Sequence, residues 1–192
     1  MQECFCRSKN TEFLGWFVQL IAPVLTGAKP AEILSFPNDE KHNARLESIK
    51  GCIQLNNKLR YKEFSYCDKC TKLFIYHISA LDATLVEKRN LRFLVERGYP
   101  TVYSLNDYMD TLMDKMQNGI IPDEIGVFLG YPLKDVMGFI GHKSLKLTKV
   151  NGWRVYGDPR LSDLRFSEFM KAKETVKELL AYSSPDNILT AV

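Results

Sequence analysis

Cys67-Asp68-Lys69-Cys70 is the local spacing in this sequence with the most direct chemical meaning. Two thiolates at i and i+3 about a tight turn can occupy two corners of a tetrahedral metal site or close as a redox pair. A second close pair, Cys4 and Cys6, lies far upstream, so Cys4, Cys6, Cys67 and Cys70 form the candidate ligand set for Zn or Fe. A thiol oxidoreductase sets its first cysteine at a helix N-terminus, where the dipole stabilises thiolate. This pair is expected on a strand-to-strand turn instead. That leaves a metal site as the alternative, and unliganded thiols behaving as small hydrophobes as the simpler reading, with no resident cofactor. Five cysteines, an odd count in a chain large enough to fold without staples, point to a reducing, cytoplasmic setting.

The three histidines do not converge in sequence. His42 belongs to a charged helix start and His142 to the end of a short helix. His77 ends an apolar strand just before a helix, a common place for a binding cleft, although a satisfied structural histidine is the plainer reading. Turns carry function more often than core does. Lys29 in "TGAKPAE", with Trp153, Arg154, Tyr156 and Asp158 in "NGWRVYGDP", therefore joins His77 as the candidate ligand- or partner-binding set. The plainer alternative is that these glycines, prolines and asparagines only make turns, with Trp153 and Tyr156 packing on a sheet. There is no Walker loop, dinucleotide fingerprint, nucleophile elbow or HExxH pair. No catalytic residue is assigned, and the reading leans away from an enzyme.

The elements that must position these residues follow from periodicity. A first helix is expected from about Glu12 to Ile21, stopping near Pro23, then a short buried strand in "AEILSF" and a helix of about five turns carrying Leu46, Ile49, Ile53 and Leu59. "KEFSYCDKCTKLFIYHI" predicts a hairpin. Ser79 with Asp82 predicts a capped helix ending near Gly98, and Ser104 with Asp107 predicts another ending at Gly119. Asn151 and Gly152 are expected to share the positive φ angles of a second hairpin turn. Asp158 and Pro159 launch a last helix that buries Leu161, Leu164, Phe169, Val176 and Leu180. The sum is an α+β (or α/β), helix-rich single domain over residues 1–184 around a small mixed or antiparallel sheet with two hairpins, with 185–192 as a frayed tail. Twenty-six basic against 23 acidic side chains give a net charge of +3 without runs of like charge, which selects no partner.

Arg7 and Lys9 ahead of "FLGWFVQLIAPVLTGA" partly imitate a signal peptide. Phe13, Phe17, Leu20, Ile21 and Val24 nevertheless fall at helical spacing, with Glu12 and Gln19 interrupting, as on a surface helix. No apolar run approaches the roughly 20 residues of a membrane span.

"PDEIGVFLGYPLKDVMGFIG" imitates a helix-turn-helix. A DNA-reading second helix needs Arg, Lys, Asn or Gln facing base edges, and this one offers Lys134 beside Asp135 in an apolar segment. A packed helical hairpin is the favoured reading and nucleic-acid binding the alternative.

"PDEIGVFLGYPLKDVMGFI", "NGWRVYGDP" and "APVLTGAKPAEILSF" together resemble an uncharacterised bacterial domain-of-unknown-function family of about this length, found mainly in anaerobic Gram-positive bacteria. The resemblance covers nearly the whole chain. It implies a cytosolic single-domain protein with no assigned reaction and a link to ferrous-iron and flavodoxin physiology. Ile21 and His77 stand where many relatives carry cysteine and arginine, a departure from that pattern. The combined expectation is a non-enzymatic binding or accessory protein with an unknown protein or small-molecule partner. The alternatives are a thiolate metal-binding protein and a helix-turn-helix regulator.

Overall fold

The architecture is known from a computed structural model that describes residues 5–67, 69–117 and 120–191. In chain order the elements are α1 (Phe5–Leu25), β1 (Ala31–Pro37), α2 (Glu40–Leu55), β2 (Leu59–Cys67), β3 (Cys70–His77), α3 (Ile78–Leu85), α4 (Lys88–Glu96) and α5 (Leu105–Gln117). They continue as α6 (Ile125–Phe128), α7 (Leu133–Ile140), β4 (Leu147–Asn151), β5 (Trp153–Tyr156), α8 (Arg160–Leu180) and α9 (Pro185–Ala191).

Strand β3 is central, paired antiparallel with β1 on one side and β2 on the other; β4 and β5 form a separate antiparallel ribbon. The period-two alternation of β3 organises the interior. Leu73 and Ile75 enter one apolar cluster with Phe17, Ile21, Ile49 and Val176, contributed by α1, α2 and α8. Phe74 and Tyr76 enter a second cluster with Leu81, Tyr108, Val127 and Val136, contributed by α3 and α5–α7. The three-stranded sheet is therefore covered by helices on both faces, an α+β domain with both hairpins the sequence predicts.

Several boundaries differ from the sequence-based expectations. Helix α1 continues past Pro23 to Leu25. The freed end is closed by the Thr26 hydroxyl, which donates to Ala22 O at 3.0 Å, and by Lys29 N–H, which donates to Pro23 O at 2.8 Å. Leu59 is not on α2; it begins β2 and fills the core from the sheet. The helix expected from Ser79 to Gly98 is two helices. His77 rather than Ser79 caps α3, its Nδ1 accepting from Ala80 N–H at 3.3 Å. The Glu87 carboxylate accepts from Arg89 and Asn90 N–H and starts α4 afresh.

The Ser104 cap is present, accepting from Asp107 N–H at 3.1 Å, while Gly119 lies outside the described residues. Gly152 alone carries a positive φ at the second hairpin, and Asn151 stays in β4 opposite Trp153. On α8 the inward positions are Ser162, Phe169, Ala172 and Val176, so Leu161 and Leu164 face outward, about half exposed. Residues 185–191 are not frayed. They form α9, which sinks Ile188 and Leu189 into the first cluster, and Asn56 Nδ2 donates to Leu189 O at 2.5 Å.

Candidate functional site

Asp135 sits on α7 inside an apolar segment and is 2% exposed. An unpaired carboxylate there would be costly, and this one is saturated. It accepts from Trp153 Nε1–H at 2.8 Å, Tyr156 backbone N–H at 2.8 Å, Ser162 Oγ–H at 2.6 Å and the Lys134 ammonium at 2.6 Å. Burial alone would raise its pKa; the donors, led by Lys134 and Ser162, outweigh burial and hold it below the ordinary carboxylate range. Lys134 also donates to Tyr156 O at 2.8 Å and Ser162 Oγ at 2.7 Å. One carboxylate thus ties α7 to β5 and α8. The same network explains why Ser162, not Leu161, faces inward.

The indole that Asp135 orients is stacked on Tyr131, with ring centroids 4.7 Å apart and planes 19° from parallel. Phe166 and Phe169 lie 6.2 Å and 6.0 Å from the same indole. On the other side of this aromatic group is Lys29, nearly buried, its ammonium 5.4 Å from the Tyr131 centroid and 5.6 Å from Phe169 and paired with Glu32 at 2.7 Å. A lysine is tolerated there because a carboxylate and two ring faces replace its water. Burial and Glu32 push the Tyr131 phenol up to about 12, so it stays neutral.

In front of the stacked pair is an open, mainly apolar cleft of about 380 Å³ lined by Ile125, Val136, Phe139, Trp153 and Arg154, with Asp123 at its edge. The exposed Arg154 guanidinium lies 5.7 Å over the Phe139 ring. Gly138 lets α7 lie against β5, since a Cβ there would overlap the Tyr156 ring.

Of the turn residues singled out from sequence, Lys29 and Trp153 meet through Tyr131 and Phe169, and Trp153 and Arg154 line the cleft. Tyr156 contributes its backbone to the Asp135 network. Asp158 does not join them. It is exposed, accepts from Arg160 N–H at 3.0 Å and is held down to about 2 by the Arg160 guanidinium. His77 is also elsewhere, capping α3 and facing Gly27, with a pKa lowered by burial and by Lys58. His42 pairs with Asp39 at the start of α2, and His142 with Ser144.

Of the thiols, Cys52 and Cys70 are free and partly buried. Cys67 pairs with Cys70 across the first hairpin, as the strand-turn reading requires. Cys4 and the side chains of Cys6 and Cys67 lie outside the described residues. Among the described residues no three His, Cys, Asp or Glu side chains gather as metal ligands.

Lys134 appears in the sequence only as a candidate DNA contact; here it is spent inside the fold. Tyr131 and Ser162 are not singled out by the sequence, and Asp135 enters there only as the acid beside Lys134. One signal was available: an acid within the apolar run "LKDVMGFI" must find donors or lose its charge.

The fold is thus an α+β domain whose aromatic cleft is braced by a buried carboxylate. The chain matches the family described as "Protein of unknown function (DUF3793)" over residues 17–189 and belongs to it. No curated protein and no solved structure matches the chain. Among the described residues no helix is long and apolar enough to cross a membrane.

Proposed function

We propose that this chain is a non-enzymatic binding protein that takes an apolar, aromatic small molecule into the cleft in front of Trp153. The observation that supports this reading is the cleft itself: an apolar hollow open to solvent, floored by the Tyr131–Trp153 stack and rimmed by Arg154. Binding sites for small organic molecules are mostly apolar with few polar groups, and those groups set orientation. Here Arg154 would select an anionic or electron-rich substituent. The polar groups behind the floor are all engaged with one another, so they serve to hold the indole in place.

The test uses 1-anilinonaphthalene-8-sulfonate, an aromatic anion, with the intact chain carrying Trp16→Phe so that Trp153 is the sole reporter. Saturable one-to-one binding with quenching of Trp153 is expected, weakened about tenfold, or about 1.4 kcal/mol, by Arg154→Glu. Absence of saturation in the folded protein, or equal binding by Arg154→Glu and Phe139→Ala variants, overturns the reading. Turnover in a hydrolase or oxidoreductase screen that one cleft substitution abolishes would overturn its non-enzymatic part.

A further inference from the structure

A second, larger hollow of about 700 Å³ lies on the other side of Tyr131, between the turn after α1, the α3–α4 junction, the start of α7 and the first turns of α8. Its lining differs in kind from that of the aromatic cleft. Arg89 of α4, Lys134 of α7 and Arg165 of α8 bring three cations from three separate elements. Among the described residues Glu87 is the only acid in the lining, and its two oxygens are turned to the backbone N–H groups of Arg89 and Asn90, 3.3 Å each.

The three cations are not equally committed. Lys134 is saturated by Asp135, Tyr156 O and Ser162, and its charge is met by the Asp135 carboxylate, so the free positive charge of the hollow comes from the two arginines. Arg165 has one 3.1 Å contact, to Glu168 on its own helix, with both side chains more than two-fifths exposed. An exposed pair of that kind is worth little and yields readily to a better acceptor. The Arg89 guanidinium is exposed and has no acidic partner among the described residues. Two arginine forks with donors to spare therefore face one hollow, the arrangement that suits the oxygens of a phosphoryl group.

The rest of the lining sets the size and character of the body such an anion would carry. Leu133, Met137, Leu145 and the half-exposed Leu161 supply apolar lining. Gly27, Ala28, Pro30 and Gly130 contribute lining without long side chains. Gly130 has φ +78°, and a Cβ there would overlap the Pro30 ring, so this part of the lining admits no larger residue.

We propose that this hollow is a binding site for a phosphorylated small molecule with a flat or apolar body, of mononucleotide size, whose phosphate is held by Arg89 and Arg165 and whose body rests on Leu133, Met137 and Leu161. It is separate from the cleft in front of Trp153, and the two can fail independently.

The experiment titrates the intact chain with ADP and with pyrophosphate, following thermal unfolding and heat of binding at low and moderate salt. ADP should bind saturably with a Kd below about 1 mM, more tightly than pyrophosphate, and raise Tm. The Arg89→Ala/Arg165→Ala variant should lose at least about tenfold in affinity while keeping its anilinonaphthalene sulfonate binding. A Lys143→Ala/Lys146→Ala control removes two nearby surface cations and should leave ADP binding unchanged. Absence of saturation, or equal losses in the two variants, overturns the site. Equal affinity for ADP and pyrophosphate overturns the assignment of an apolar body.

Discussion

The Trp153 indole N–H donates to the Asp135 carboxylate at 2.8 Å, joining the ring that floors the aromatic cleft to the one acid buried in α7. This contact turns a turn-segment tryptophan into a fixed surface, because Lys134, Ser162 and the Tyr156 amide hold the carboxylate from its other sides.

Removing that acid should be among the most damaging single changes. Asp135→Ala leaves Lys134 without its countercharge and three further donors unmet, and should cost about 3–5 kcal/mol, measured by urea unfolding. Because the folded pKa lies below the ordinary value, the carboxylate's contribution is complete above the unfolded value of about 3.9 and is lost as pH falls through the lower folded value. An Asp135→Ala cost that is the same at pH 7 and pH 3 would contradict this.

His77 should make stability depend on pH in a higher window. Its ring accepts from Ala80 N–H, which requires an unprotonated Nδ1, and burial with Lys58 nearby lowers its pKa. The contribution is full above the unfolded value of about 6.5 and is lost as pH falls through the depressed folded value. Unfolding midpoints of the parent and His77→Asn should therefore converge between pH 7.5 and pH 5. Parallel pH dependences would show that His77 does not titrate as described.

Two glycines in helices should respond oppositely to alanine. Gly51 in α2 has open space where a Cβ would go, so Gly51→Ala should raise stability by about 0.5–1 kcal/mol through backbone entropy and helix propensity. Gly138 in α7 meets Tyr156, so Gly138→Ala should lower stability by about 1–3 kcal/mol and shift Trp153 emission as the hairpin moves outward. Thermal unfolding of the pair, with fluorescence, checks both signs.

Asn56 should control the chain's last helix. Its side chain donates to Leu189 O and accepts from Lys58 and Leu59 N–H at 2.7 Å and 3.0 Å, all from a nearly buried position. Asn56→Ala should cost about 2–3 kcal/mol and raise amide exchange in α9 before it does so in β3. Uniform acceleration of exchange across the chain would count against a local role.

Much of this architecture is readable in the order of residues. The β-rich apolar run "KLFIYHI" marks a strand, and "SYCDKCTK" marks its hairpin; that both faces of the strand are buried comes from the structure. What escaped reading was set by tertiary demand. Periodicity put Leu161 on the buried side of α8, but the donors required by Asp135 turned Ser162 inward. Pro185 suggested an ending, yet Ile188 and Leu189 had a core to fill. Trp153 and Lys29 could be named as residues of interest from their turn segments. Their meeting across Tyr131 depends on Lys29 reaching a ring more than a hundred residues away in sequence, and no local pattern reports that.

The two-sided sheet has a consequence for how the chain is made. The cluster on the Phe74 face is drawn from residues between Ala31 and Val136, whereas the cluster on the Leu73 face needs α1 together with Val176, Ile188 and Leu189. Helix α1 packs on α8 and α9, so it leaves the ribosome more than a hundred residues before the helices that cover it. Until then Phe17, Ile21 and Leu25 lack part of the surface they pack on, while the middle of the chain can already close around Tyr108 and Phe128. Until α8 and α9 are made, the apolar face of α1 stays partly uncovered beside a half that can already close, the kind of transiently exposed surface that makes a nascent chain prone to aggregate.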